Sequence, residues 1–180
     1  MSGFQEILQF WFEEIEPKQY WVKDAEFDRL ITQRFSDIHR QACLGELFEW
    51  RGSAAGSLAE IIILDQFPRN MFRDTPQAFA QDAQALTLAQ EAVARGADQE
   101  LAGEQRTFLY MPYMHSESLK VHEEAVKLFT RNGIKNNLDF EIKHKLIIER
   151  FGRYPHRNAI LGRESTPEEI EFLQEPDSSF

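Results

Sequence analysis

The sequence predicts an all-α fold built from antiparallel helix pairs, with about eight or nine helices joined by mostly short connections. Three observations carry this. Apolar residues recur at spacings of three and four along most of the chain, as one face of a helix requires. The alternation of a half-buried strand is almost absent. The apolar runs are bounded by Ser, Thr, Asp or Asn on one side and by Gly or Pro on the other, which are helix start and stop signals.

Taken in order, Ser2 with Gln5 reads as a capping box ahead of Ile7, Leu8, Phe10, Trp11 and Phe12, and Pro17 closes that segment. Asp24 is placed to cap a helix whose apolar positions are Phe27, Leu30, Ile31, Phe35, Ile38 and Ala42. Gly45, Gly52 and Gly56 punctuate the stretch after that helix. Ser57 with Glu60 reads as a second capping box, opening residues 58–66. There Ile61-Ile62-Ile63-Leu64 is apolar on all sides, so periodicity alone allows a buried strand or a buried helix, and the cap favours helix. Pro68 is expected to block continuation, because it has no N–H and its ring crowds the preceding turn.

Thr75-Pro76 reads as N-cap and first helical residue of a helix through Phe79, Ala83, Leu86, Ala89, Ala92 and Val93, ended by Gly96. Residues 104–110 form a shorter helix stopped by Pro112. A helix from Ser116 or Ser118 carries Leu119, Val126, Leu128 and Phe129 to Gly133. Asn137 is expected to cap the next, with Phe140, Ile142, Leu146, Ile147 and Phe151, ended by Gly152. Thr166-Pro167-Glu168-Glu169 combines cap, proline and capping-box Glu at the start of a last short helix. Residues 175–180 are expected to be a loose tail. No linker divides the chain, so residues 1–180 are expected to form a single domain. Pro68 and Pro155 lie 87 residues apart, and no clean repeat of about 34 residues is visible.

A chain of 180 residues with 42% hydrophobic residues can bury a substantial core without staples. The formal net charge of −10 argues against binding a nucleic-acid backbone or an anionic membrane. Cys43 is the single cysteine, so no internal disulfide can form, and it reads as a buried structural thiol. The N-terminus lacks a basic region before an apolar stretch, and no apolar run approaches the roughly 20 residues needed to span a bilayer. A cytoplasmic protein of bacterial type is expected.

Chemistry-bearing residues gather in three places. In Leu64-Asp65-Gln66-Phe67-Pro68-Arg69-Asn70, Arg69 offers a planar fork of donors suited to a carboxylate or phosphate, with Asp65 as its possible partner. In Tyr110-Met111-Pro112-Tyr113-Met114-His115-Ser116-Glu117, a His able to act as acid or base near neutral pH stands beside a carboxylate. In Arg150-Phe151-Gly152-Arg153-Tyr154-Pro155-His156-Arg157-Asn158, an aromatic-Pro phrase followed by Arg-Asn occurs for the second time. From Glu149 to Arg163 there are four Arg and one Glu, a local charge of +3 in a chain that otherwise carries −13. Each cluster also has a plain structural reading. Arg69 and Asp65 would tie a helix end to its loop, Ser116 and Glu117 would start a helix, and the arginines would pair with Asp65, Glu117 or Glu149. Glu141 and His144 have metal-ligand spacing but lack the companions of a di-iron site, so no metal or other cofactor is expected. His122-Glu123-Glu124 reads as a solvated face, and Trp11, Trp21 and Trp50 as core.

Through these same phrases, together with Phe10-Trp11-Phe12 and Leu161-Gly162-Arg163, nearly the whole chain resembles the bacterial family known as domain of unknown function 924. The resemblance implies an all-α fold similar to tetratricopeptide-like helical repeats. It implies no activity and supplies no catalytic residues.

Three functional readings arise from the residues. In the first, Phe67, Tyr110, Met111 and Tyr154 line a pocket for a small anionic molecule. Arg69, Arg153 and Arg157 bind its charge, with Asn70 and Asn158 beside them. His115 acts as general acid or base, oriented by Glu117 or Asp65, and His156 is the alternative base. In the second, a helical groove binds an acidic peptide or C-terminal carboxylate through Arg69 and Arg157. In the third, the Arg-Asn phrases only lock helix ends together.

Overall fold

The structure, a computed structural model, describes residues 3–179, and these are helical without strands. Helix α1 (Phe4–Gln9) runs directly into a π-helical turn, Phe10–Glu14, which buries Phe10 and Trp11 with Ile7. The expected Ser2 cap lies outside the described residues. Helix α2 (Ala25–Cys43) is capped as its sequence demands: the Asp24 carboxylate accepts from the backbone N–H groups of Glu26 and Phe27 at 2.8 and 3.3 Å. It turns Phe27, Ile31, Phe35 and Ile38 inward, whereas Leu30 stays exposed.

Helix α3 (Ala54–Asp65) is the centre of the molecule. Residues 56–65 are all buried, and α3 packs against α1, α2, α5 (Asp82–Ala94) and α6 (Gly103–Met114). Its start corrects the sequence reading. Ser53, not Ser57, is the cap, accepting from Gly56 N–H at 3.0 Å. Ser57 and Glu60 lie one turn inside, where Glu60 receives both arms of Arg51 at 2.6 and 2.7 Å. Gly56 is therefore no punctuation. A Cβ there would stand 2.1 Å from the Trp50 carbonyl oxygen, a backbone atom that cannot step aside. Gly56→Ala is expected to cost about 1–3 kcal/mol by overpacking, read as a drop in Tm of about 2–4 °C per kcal/mol.

Helix α3 ends at Asp65, ahead of Pro68 as expected, but two prolines take part in helices where none was foreseen. Pro68 opens a helix, α4 (Phe67–Met71), directly after α3, because its fixed φ suits a first turn. Pro112 lies inside α6, which continues to Met114. Residues 107–114 are all buried. The lost hydrogen bond and ring clash cost roughly 3 kcal/mol, and burying Phe108, Leu109, Met111 and Met114, at about 1.5–3 kcal/mol each, outweighs that. Thr75 and Pro76 open a 3-10 turn, Pro76–Phe79, and not α5 itself. Helices α7 (Leu119–Asn132) and α8 (Lys135–Phe151) follow, with α7 packed between α6 and α8. Gly133 and Gly152 end them in the left-handed region, as expected. Asn137 does not cap α8. Ile134 holds that position, and Asn137 donates to Thr107 Oγ at 2.8 Å.

Helix α9 (Pro167–Phe172) shows the expected capping box, Thr166 with Glu169. In the segment 175–180, Ser178 is buried and Asp177 pairs with Lys143 at 2.9 Å. Of the three tryptophans, Trp11 is buried, Trp50 is half-buried, and Trp21 is 62% exposed against expectation. Cys43 is half-buried, its sulfur 3.5 Å from His39 Nε2. No helix among the described residues is long and apolar enough to cross a membrane.

The apolar interior has two parts. A large core unites α1 to α7, and a smaller cluster gathers Ile147, Ile148, Tyr154 and Phe172. The chemistry-bearing residues lie along the seam between them.

Candidate functional site: a buried Asp–His pair beside a cleft

Asp65 ends α3 with no exposed surface, so its carboxylate must be satisfied by neighbouring side chains. His115 Nδ1–H donates to one oxygen at 2.7 Å, and Gln66 Nε2 donates to the other at 2.6 Å. Arg69, one turn on, donates to the Asp65 backbone carbonyl at 2.6 Å and stands 3.7 Å from its carboxylate. Burial pushes the Asp65 carboxyl upward, but the charge of Arg69 and the hydrogen bonds from His115 and Gln66 hold it below its ordinary range. It is ionised at neutral pH.

Arg69 then reaches forward. Its two terminal nitrogens grip Asp82, in the first turn of α5, at 2.8 and 3.0 Å. Arg157 approaches the same carboxylate at 3.4 Å. The Arg157 guanidinium is stacked between the rings of Phe79, at 4.6 Å, and Tyr154, at 4.7 Å. Its Nε has no hydrogen-bond partner among the described residues. Burial, with the nearby charge of Arg69, lowers its pKa.

The position of His115 is set from behind. Helix α6 ends here, and its last carbonyls lack helical partners. Three consecutive carbonyls, from its last residue Met114 through Ser116, are met by buried side chains from other elements. Tyr154 O–H donates to Met114 O at 2.5 Å, Arg157 to His115 O at 3.0 Å, and His122 Nε2–H to Ser116 O at 2.8 Å. His122 is held in turn by Glu141, 2.7 Å from its Nδ1, with both side chains fully buried. Because Ser116 O can only accept, the Nε2 of His122 carries a proton. Burial pushes the Glu141 carboxyl up, against the hydrogen bond from His122. A Gln amide offers Nδ1 either a donor or an acceptor, so Glu141→Gln is expected to stay within about 1 kcal/mol of wild type at pH 7. Glu141→Ala, which strands Nδ1, is expected to lose about 1–3 kcal/mol in urea unfolding.

His115 is left with Nε2 as its working nitrogen, without a hydrogen-bond partner among the described residues. Burial and the charge of Arg69 lower its pKa against the pull of Asp65, so the ring is neutral near pH 7. It lines a cleft of about 370 Å³. Pro76, Phe79, Leu86, Pro112 and Leu161 give this cleft apolar walls, and Asp82, Ser116, Glu117 and Arg157 share the remainder.

The structure thus brings Asp65, Arg69, His115 and Arg157 together from three separate stretches of sequence. The orienting partner of His115 is Asp65. Glu117 reaches the cleft but is turned away from the imidazole, bound by Arg163 at 2.7 and 2.9 Å and by Tyr154 N–H at 2.8 Å. Arg153 is committed to Glu169 at 2.7 and 2.8 Å, and Asn158 bonds Ser165, Glu169 and Arg163. Asn70 donates to Asp28 on α2 at 2.8 Å. Tyr110 donates to Asp98 at 2.5 Å, and with Phe67 and Met111 it belongs to the core and not to the cleft wall. His156 is half-buried beside Arg157, its pKa pushed down to about 4 by burial and that charge. Asp82 and Phe79 were not singled out by sequence. Nor was the buried His122–Glu141 pair, since His122 looked like part of a solvated face. Among the described residues no three His, Cys, Asp or Glu side chains converge as a metal-binding set.

The family pattern described as "Bacterial protein of unknown function (DUF924)" matches residues 7–177. The chain belongs to this family. A solved structure of a protein of unknown function from Agrobacterium tumefaciens is similar to this DUF924 chain throughout. The two are 42% identical, the match covers 95% of this chain and 96% of the other, and the TM-score is 0.90. No curated protein matches. For a DUF924 protein the family therefore supplies the fold, and any chemistry must be argued from the Asp65–His115 pair and its cleft.

Proposed function

We propose that the cleft binds a small organic anion and that His115 acts on it, or on a water beside it, as general base. The observation that carries this is the pairing of His115 Nδ1 with a buried, ionised carboxylate on the edge of an open cleft. A carboxylate in that position fixes the tautomer, presents the Nε2 lone pair, and stabilises the imidazolium formed when a proton is taken. Arg157 is the anion-binding group, since an arriving negative charge would relieve a buried guanidinium that its present neighbours under-compensate. Arg69 supports the site by holding Asp65 and Asp82. Proton transfer or hydrolysis on a small anionic substrate fits this set. Arg153 and Arg163, each saturated by a carboxylate, are assigned to structure.

Acetate, benzoate and phosphate titrated against the ¹⁵N-labelled protein test the reading. At least one should shift the His115 ring signals, and Arg157→Gln should weaken that response about tenfold or more. Equal binding by the variant, or no response of His115 to any anion, removes the proposal. Asp65→Asn should lower the His115 titration midpoint further, because the Asp65 charge raises it. An unchanged midpoint by NMR would show that the carboxylate does not control the ring.

A further inference from the structure

Resting on that reading of the cleft, we infer that its ligand is a monocarboxylate with a flat, apolar body of about one ring, and not a phosphate ester, a dicarboxylate or a sugar acid. The charges facing the cleft decide the first part. Asp82 is neutralised by the two-pronged grip of Arg69, and Glu117 by that of Arg163 together with the Tyr154 N–H. Arg157 has only a 3.4 Å contact to an Asp82 oxygen that already accepts from Arg69, and its Nε is unpartnered. Ionised Asp65 also leans on Arg69, so the three carboxylates balance the three guanidinium groups, but Arg157 is the one guanidinium without a close two-pronged partner and is left to take a single carboxylate. A dianion would set its second charge against Asp82 and Glu117, where like charges repel across a partly dry wall.

The walls decide the second part. Apart from Ser116 and His115, the cleft offers a ligand no uncharged side-chain donor or acceptor. Ligand hydroxyls turned toward Pro76, Leu86, Pro112 and Leu161 would lose water without replacement. A ring would lie on surfaces that suit it, and the Phe79 ring already stacks on Arg157 on one flank. At about 370 Å³ the space is near the lower end for small-molecule sites. Carboxylate toward the Nη1 edge of Arg157 and body along Phe79 would place the ligand beside His115.

Calorimetric titration of the whole protein with benzoate, acetate, benzamide and phenyl phosphate, followed in parallel by the His115 NMR signals, tests this. Benzoate should bind about tenfold or more tighter than each of the other three. Arg157→Gln should abolish the preference over benzamide, and Leu86→Ala should reduce the preference over acetate while acetate itself binds as before. Acetate or phenyl phosphate binding as tightly as benzoate, with His115 responding, would overturn the ligand class but leave an anion site standing. Failure of every probe to move His115 would overturn the site as well. The wild-type comparison alone decides both, whether or not the variants fold.

Discussion

Arg69→Met is expected to cost about 3–5 kcal/mol of folding stability, the usual consequence of removing one partner from a buried ion pair. For a chain of this length that is a fall in Tm on the order of 10 °C. Two carboxylates depend on this side chain. Asp65 has no exposed surface and keeps only His115 and Gln66, while Asp82 keeps only the long contact to Arg157. Met matches the length of the Arg stem, so the change removes charge and donors more than packing. Arg150→Met is the comparison. Its pair with Glu168 is made by side chains 43% and 60% exposed, and such pairs contribute about 0–1 kcal/mol. Urea unfolding of both variants is the measurement. A loss at Arg69 no larger than at Arg150 would mean that the pairs along the seam are replaceable by water. Asp82→Asn should also be less damaging in the Arg69→Met background than in wild type, since neighbours in one ion network do not add.

Helix identity was legible because it rests on local facts: the cap at Asp24, the left-handed glycines after α7 and α8, the capping box at Thr166. Where local signals compete with burial, the sequence misleads. Pro112 reads as a stop but lies inside a helix whose end is wholly buried. Ser57-Leu58-Ala59-Glu60 reads as a capping box, yet the chain is already helical there, and Ser53 offers the same chemistry four residues earlier. No pattern within one helix distinguishes the two, and the close approach of the Trp50 carbonyl to Gly56, which goes with the earlier start, is visible only in the fold.

The site was half legible for a similar reason. Asp65 and Arg69 share a helical turn, and His115 and Arg157 are uncommon residues at the ends of apolar runs. Asp82 carried no such mark. An acidic residue in the first turn of an alanine-rich helix is ordinary, and only the fold reveals that it receives Arg69 and Arg157 from both sides. Arg153 and Arg157 looked equivalent, separated by one helical turn's length in sequence. The chain leaves the helical path at Gly152, so the first points to Glu169 on α9 and the second back to α6. Three side chains, two from the turn at residues 154–157 and one from α7, bond the carbonyls of residues 114–116. Those bonds are what turn a frayed helix end into a fixed mount for His115, and none of them is local in sequence.

The same seam should make the protein acid-sensitive well above the carboxylate range. His144 and His156 are pushed down to about 3 and about 4, chiefly by burial, and burial also lowers His39 and His115. In the unfolded chain each His takes a proton near pH 6.5. Between there and the lowered values the unfolded state binds protons that the fold refuses, so stability rises with pH and falls on acidification. For His144 and His156 alone the loss between pH 7 and 5 is about 4 kcal/mol, a large part of the roughly 5–15 kcal/mol of an ordinary domain. Glu141 works in the opposite sense, since its raised carboxyl accepts a proton more readily in the fold than outside it. Asp65, Glu117 and Glu169 are lowered and add to the acid loss only below about pH 4.5, where unfolded carboxylates begin to protonate. Two stages are therefore expected in a series of urea titrations. The first is a steep decline from about pH 6.5 set by histidines, and the second a further one set by carboxylates. A His144→Gln, His156→Gln double variant should flatten the first stage and leave the second. Equal wild-type stability at pH 7 and pH 5, or an undiminished first stage in the double variant, would show that these rings take up protons without opening the seam.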